Sequence, residues 1–105
     1  MSRRVLLCPV TEVPDNTPKQ VFAEGQEEPL ALYRVNGNYY LTDDLCTHGL
    51  ASLSDGDLEG TTIICPLHGG AFDIRTGAAI EYPCTRPLRT YPVDVEDDHV
   101  YGMLA

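Results

Sequence analysis

Apolar residues along this chain gather in short stretches, and no segment sustains a helical period of useful length. Val5 to Cys8 is a short apolar run ended by Pro9, and Gln20 to Ala23 predicts a second strand. Pro29 to Val35 and Asn38 to Leu41 are strand-like and flank Asn36-Gly37. An Asn-Gly pair between such runs predicts a tight hairpin, because both residues tolerate positive φ. Thr61 to Cys65 is β-branched and apolar, and Ala71 to Ile74 follows after a glycine-rich break. Leu88 to Val95 reads as one alternating strand, and His99 to Leu104 as the last, reached through a turn at Asp97-Asp98. Turns are also predicted at 11–14, 15–18, Ser54-Asp55-Gly56 and Thr76-Gly77. Strands of about 4–8 residues at short spacing predict an all-β sandwich or barrel. The segment from about 42 to 82 holds the paired Cys and His residues and most of the glycines, and reads as an insert between two β-rich ends.

Composition narrows the function. A chain of 105 residues holds one small domain. Seven Lys and Arg against sixteen Asp and Glu give a net charge of -9, which repels nucleic-acid backbones and anionic membrane surfaces alike. A hydrophobic content of 43% is that of a folded domain. No run approaches the roughly 18 apolar residues of a membrane span. Arg3-Arg4 precedes Val5-Leu6-Leu7, but the apolar run stops at Pro9-Val10, too early for an export signal. Cys8 follows the bulky Leu7 and is a poor lipid-anchor site. Four cysteines are too few for a disulfide scaffold. The expectation is a cytoplasmic protein in a reducing compartment, where clustered Cys and His are metal ligands rather than bridges.

The candidate chemistry lies in Cys46-Thr47-His48 and Cys65-Pro66-Leu67-His68. Two of the three histidines thus stand beside two of the four cysteines, in two matching short segments. The single residue between Cys46 and His48 is a short reach for both to wrap one tetrahedral ion, and suits two donors that point at two metal atoms. Mononuclear zinc sites have a different ligand spacing.

Cys-x-His followed by Cys-x-x-His resembles the Rieske iron–sulfur signature. Asp44 to Gly49, Ser54-Asp55-Gly56, Leu58-Glu59-Gly60, Cys65 to Gly69, Phe72-Asp73, Thr76 to Ala79 and Thr90 to Val93 extend the match. From about residue 30 onward the chain is similar to the Rieske-type [2Fe–2S] ferredoxins of bacterial aromatic-ring-hydroxylating dioxygenase systems. The resemblance implies a Rieske-type antiparallel β-sandwich with a small cluster-binding insert subdomain. The basal part would be about 1–41 and 83–105, and the cluster-binding part about 42–82. It implies one [2Fe–2S] cluster per chain, with Cys46 and Cys65 on one iron and His48 and His68 on the other. It implies a one-electron carrier in aromatic hydrocarbon catabolism, not an enzyme. Electrons would come from an NADH-dependent flavoprotein ferredoxin reductase and go to a terminal ring-hydroxylating oxygenase. A monomer is expected. The alternatives are the small subunit of an assimilatory nitrite reductase and a zinc-bound structural module.

The chain departs from the respiratory branch of that family. Ala51 and Leu67 stand where those proteins have a disulfide, and Gly70 stands where they have a serine that donates to the cluster. Fewer donors imply a reduction potential at the low end of the Rieske range, roughly -150 mV. Gly49, Gly69 and Gly70 are expected to turn backbone N–H groups toward the cluster as a nest. The segment from Pro83 to Pro87 resembles the proline-containing loop that covers the cluster.

The remaining polar and sulfur residues have plainer expectations. Cys8 and Cys84 read as small apolar residues, one on a strand and one in a loop. His99 reads as a turn-exit residue. Asp94, Glu96, Asp97 and Asp98 read as a solvated hairpin end, with steering toward basic partners, alongside Glu24, Glu27 and Glu28, as the alternative. Asp43, Asp44 and Asp73 read as loop-bracing residues rather than chemical ones.

Overall fold

The computed structural model describes residues 3–47, 51–67, 69–82 and 84–104. Among them the chain forms three antiparallel sheets and no α-helix. In the first, β1 (Arg3–Pro9), β11 (His99–Leu104) and β10 (Val93–Glu96) are hydrogen-bonded in that order. In the second the order is β2 (Lys19–Val21), β3 (Leu30–Val35), β4 (Asn38–Asp43) and β9 (Thr90–Tyr91). In the third it is β5 (Asp57–Glu59), β6 (Thr62–Ile64), β7 (Ala71–Asp73) and β8 (Ala79–Glu81).

Two tight hairpins form where the turn chemistry predicts them. Asn36 and Gly37 take φ of 51° and 79°, and the strands pair directly around them at Val35 and Asn38. Asp97 and Asp98 take φ of 52° and 62° between the paired Glu96 and His99. Consecutive positive φ values match the right-handed twist of the flanking strands. His99 sits at this turn exit, its Nδ1 2.8 Å from the Asp97 carbonyl.

The single strand predicted over Leu88–Val95 is instead two, parted at Pro92. Thr90 and Tyr91 pair with Thr42 and Leu41 in the second sheet, whereas Val93 to Glu96 pair with β11 in the first. Proline has no N–H to continue a ladder, so the chain changes sheets there. The Pro92 carbonyl still accepts the Met103 N–H at 2.9 Å. The sequence pattern did not mark β5 and β8, which are three residues each and mostly exposed or half-buried.

β3 lies between two cores and is buried on both faces. Leu30 and Leu32 pack with Val5, Val21, Leu41, Val100 and Leu104. Ala31, Tyr33 and Val35 face the opposite way, toward Leu53, Ile63, Phe72, Ile74 and Leu88. Period-2 alternation delivers successive side chains to opposite faces, so one apolar strand serves both clusters. Fully burying a side chain such as Ile63 or Phe72 stabilises by about 1.5–3 kcal/mol. Tyr33 is fully buried, and its hydroxyl lies 2.9 Å from Thr42 Oγ1. Thr42 donates its own proton to the Asp43 carbonyl at 2.8 Å, so Tyr33 is the donor of the pair. Burial raises the Tyr33 phenol above its ordinary pKa.

Candidate metal centre

The two cysteine-bearing loops repeat one backbone device. Beyond β4, Leu45 forms a bridge with Ser52, and the Cys46 N–H donates to the Ala51 carbonyl at 2.9 Å. Between β6 and β7, Ile64 pairs with Ala71, and the Cys65 N–H donates to the Gly70 carbonyl at 2.6 Å. In each case the cysteine closes its loop onto the residue five places on. The two loops therefore hold their cysteines in the same backbone position. Gly69 takes a left-handed φ of 72° in the second loop. Gly70 does not. A Cβ at Gly70 would overlap the Cys84 sulfur, so its reason is space.

Asp44 pins the first loop from beneath. It is fully buried, and its Oδ1 accepts the Ser54 N–H at 2.8 Å while Oδ2 accepts Gln20 Nε2 at 2.9 Å. Its own carbonyl accepts the Leu53 N–H at 2.7 Å. Asp43 Oδ1 accepts the Tyr91 hydroxyl at 2.5 Å. Burial, reinforced by Asp43, pushes the Tyr91 phenol up to about 12. Asp73 Oδ1 takes the Arg75 backbone N–H at 2.9 Å, and the guanidinium closes on both carboxylate oxygens at 3.1 and 2.9 Å. That guanidinium holds the Asp73 carboxyl below the usual carboxylate range. Asp44 and Asp73 therefore brace loops, as the sequence led one to expect, whereas the Asp43 side chain ties β4 to β9.

The segment after β8 covers the first loop. Thr47 Oγ1 donates to the Arg86 carbonyl at 3.0 Å, and Arg86 Nη2 donates to the Thr47 carbonyl at 2.8 Å. Cys84 is buried in the same apolar cluster as Cys46 and Cys65. It is the small packed residue expected, but it has a second property that the sequence did not reveal: its Sγ lies 3.7 Å from Cys46 Sγ. Leu45, Leu67, Ile80 and Tyr82 in and beside these loops are substantially exposed, Tyr82 at 83%. Cys8 lies elsewhere, in the first core, buried and remote from this site.

The structure thus brings Cys46 and Cys65 together, while His48 and His68 lie outside the described residues, as does Gly49. Cys46 and Cys65 are 3% and 1% exposed, and neither is in a disulfide. Among the described residues no group of three or more His, Cys, Asp or Glu side chains is placed to hold a metal ion. Both cysteines belong to the same buried apolar cluster. Burial pushes the Cys65 thiol up, with Cys46 adding to the effect. Burial and then Cys46 push the Cys84 thiol up to about 12. A desolvated thiol pair resists ionisation unless a cation compensates it, and thiolate is the form that ligates iron. Two buried thiols in one cluster, on two loops closed the same way, are a donor set that fits one iron of a [2Fe–2S] cluster.

Farther from the loops, Arg4 Nη2 bridges Asp94 at 3.1 Å and Glu96 at 2.8 Å, and its guanidinium lies 3.8 Å from the centroid of the Tyr101 ring. Arg4 thus offsets one of the four charges of the acidic hairpin end, and Asp97 and Asp98 form its turn.

The family model for the Rieske [2Fe-2S] domain matches residues 3–92. The ferredoxin component of the naphthalene 1,2-dioxygenase system of Pseudomonas aeruginosa is 52% identical over 89 residues, covering 85% of this chain and 84% of that protein. Among solved structures, the ferredoxin of Sphingomonas yanoikuyae B1 superposes with a TM-score of 0.92 at 48% identity, covering 98% of this chain and 100% of that one. A chain from the complex of reduced oxygenase and oxidised ferredoxin in carbazole 1,9a-dioxygenase superposes with a TM-score of 0.88 at 43% identity, covering 95% and 92% of the two chains.

Proposed function

Because the chain belongs to the Rieske [2Fe–2S] domain family, we propose that it is the ferredoxin component of an aromatic-ring-hydroxylating dioxygenase system. It carries one electron at a time from an NADH-dependent flavoprotein reductase to a terminal oxygenase, and is not itself an enzyme. The observation that carries this reading is the pair of buried, unbridged cysteines on two matching loops, in a chain whose relatives along most of its length are dioxygenase ferredoxins. Cys46 and Cys65 would hold one iron, and His48 and His68 the other. The cluster supplies reversible one-electron reduction.

The rest of the chemistry is the chain's own. The loop-closing hydrogen bonds of Cys46 and Cys65 fix where the sulfurs stand, and the Leu53, Ile63 and Phe72 core behind them keeps water from that side. The Thr47–Arg86 clamp holds the covering segment on the first loop. Residues 42–82 form the part that binds the cluster, and about 1–41 and 83–105 form its base. Leu45, Leu67 and Tyr82, in and beside these loops, are exposed for a partner to cover, and the -9 net charge favours basic partners. No helix among the described residues is long and apolar enough to cross a membrane, and a cytoplasmic location accords with the cysteines' reduced state. The nitrite reductase subunit and the zinc module are the weaker readings, given the dioxygenase ferredoxins that match along most of both lengths.

The test is reconstitution with a flavoprotein reductase, NADH and a ring-hydroxylating oxygenase. Product formation should require this chain and saturate with it. Equal product without the chain would overturn the reading.

A further inference from the structure

The covering segment places a third sulfur, Cys84, against the candidate cluster ligands. Its Sγ is 3.7 Å from Cys46 Sγ, and the residue is 4% exposed. Independently, Gly70 in the second loop has no room for a Cβ because the Cys84 sulfur fills that space. The Cys84 backbone N–H is already spent on the Glu81 carbonyl at 3.0 Å. The thiol therefore sits in the slot between the two loops, with its proton as the one donor this residue has left.

We propose that Cys84 donates an S–H···S hydrogen bond to the Cys46 sulfur and thereby raises the reduction potential of the site. The proposal rests on the reading that Cys46 is an iron ligand. A ligating cysteine is a thiolate and only accepts, so the proton of the pair belongs to Cys84. A hydrogen bond to a ligand sulfur strengthens as that sulfur gains negative charge, so it favours the reduced state. Cys84 is a positioning residue: it acts through Cys46. Gly70 is its counterpart, since any side chain there would expel the thiol from the slot.

The test is the reduction potential of the holoprotein, with iron and acid-labile sulfide measured on each sample. Cys84→Ala should lower the ratio of reduced to oxidised protein at a fixed ambient potential by about fivefold, which is about 40 mV for one electron. Cys84→Ser keeps a donor in the slot and should lie at or above the wild type. Potentials unchanged in both variants, or lowered equally in both, would overturn the proposal, because a packing role does not separate Ser from Ala. Should Cys84→Ala fail to hold the cluster, the wild type itself decides through its reduced-minus-oxidised infrared difference spectrum. An S–H stretching band that shifts on reduction supports the proposal, since Cys8 lies in the other core and does not respond. A difference spectrum without such a band refutes it. Iron and sulfide absent from the wild type would instead refute the cluster itself.

Discussion

Replacing Asp44 by alanine tests whether the first loop is held from beneath. The carboxylate is fully buried and accepts two hydrogen bonds, from the Ser54 N–H at 2.8 Å and from Gln20 Nε2 at 2.9 Å. Hydrogen bonds to a charged group are worth about 1.5–3 kcal/mol each. Gln20 is exposed and can turn to water, whereas the Ser54 N–H stays half-buried beside the lost oxygen. Removing the carboxylate also relieves its own desolvation cost, which argues for the lower end of the range. The expected net loss is about 2–3 kcal/mol, a large share of the roughly 5–15 kcal/mol that holds a domain folded. For a domain of this size that is a fall in Tm of roughly 10 °C or more. The assay is a urea titration followed by far-ultraviolet circular dichroism, on samples matched for iron content. The visible absorbance of the same samples should decay faster in the variant, because the loop that Asp44 pins carries Cys46. Asp44→Asn retains an acceptor for Ser54, and Gln20 can present its own oxygen, so it should lose about half as much. An alanine variant within about 0.5 kcal/mol of the wild type, bleaching at the wild-type rate, would refute the bracing role.

Three further outcomes are expected. His68→Ala should abolish electron delivery to the oxygenase while the circular-dichroism signal of the outer strands persists, since β1, β10 and β11 pack in a separate core. Added salt should slow electron transfer between this chain and its partners, as expected for a carrier of charge -9; stopped-flow rates that ignore ionic strength would count against steering. The Asp73 carboxyl is held below its ordinary pKa by Arg75, so its contribution to stability is present above the unfolded carboxylate value of about 3.9 and is lost as pH falls through the folded one. Asp73→Asn should remove that part of the acid dependence, seen as a shallower fall in urea midpoint below pH 4.

The parts of the fold that local chemistry dictates were legible in the sequence. Asn36-Gly37 and Asp97-Asp98 are turns because their residues tolerate positive φ, and no distant contact is needed to say so. The paired Cys and His residues were legible for the same reason, as spacing is a local property. What stayed hidden depends on contacts far apart in the chain. β5 and β8 are three-residue strands that exist because β6 and β7 give them a ladder to join. Pro92 divides what alternation alone presents as one strand, because only the two sheets reveal that each half has a different partner. The Thr47–Arg86 clamp spans 39 residues and the Cys46–Cys84 contact 38, so neither leaves a mark on the pattern. Cys84 was legible as a small buried residue, but its neighbour was not.

The central claim is a binuclear centre with Cys46 and Cys65 on one iron and His48 and His68 on the other. Pulsed electron paramagnetic resonance on the dithionite-reduced protein, with the metal content of the same sample, tests it most directly. The account predicts about two irons per chain and hyperfine coupling from two imidazole nitrogens, one of which disappears in each of His48→Cys and His68→Cys. A reduced spectrum with no nitrogen coupling, or a single zinc per chain with no spectrum, would contradict it.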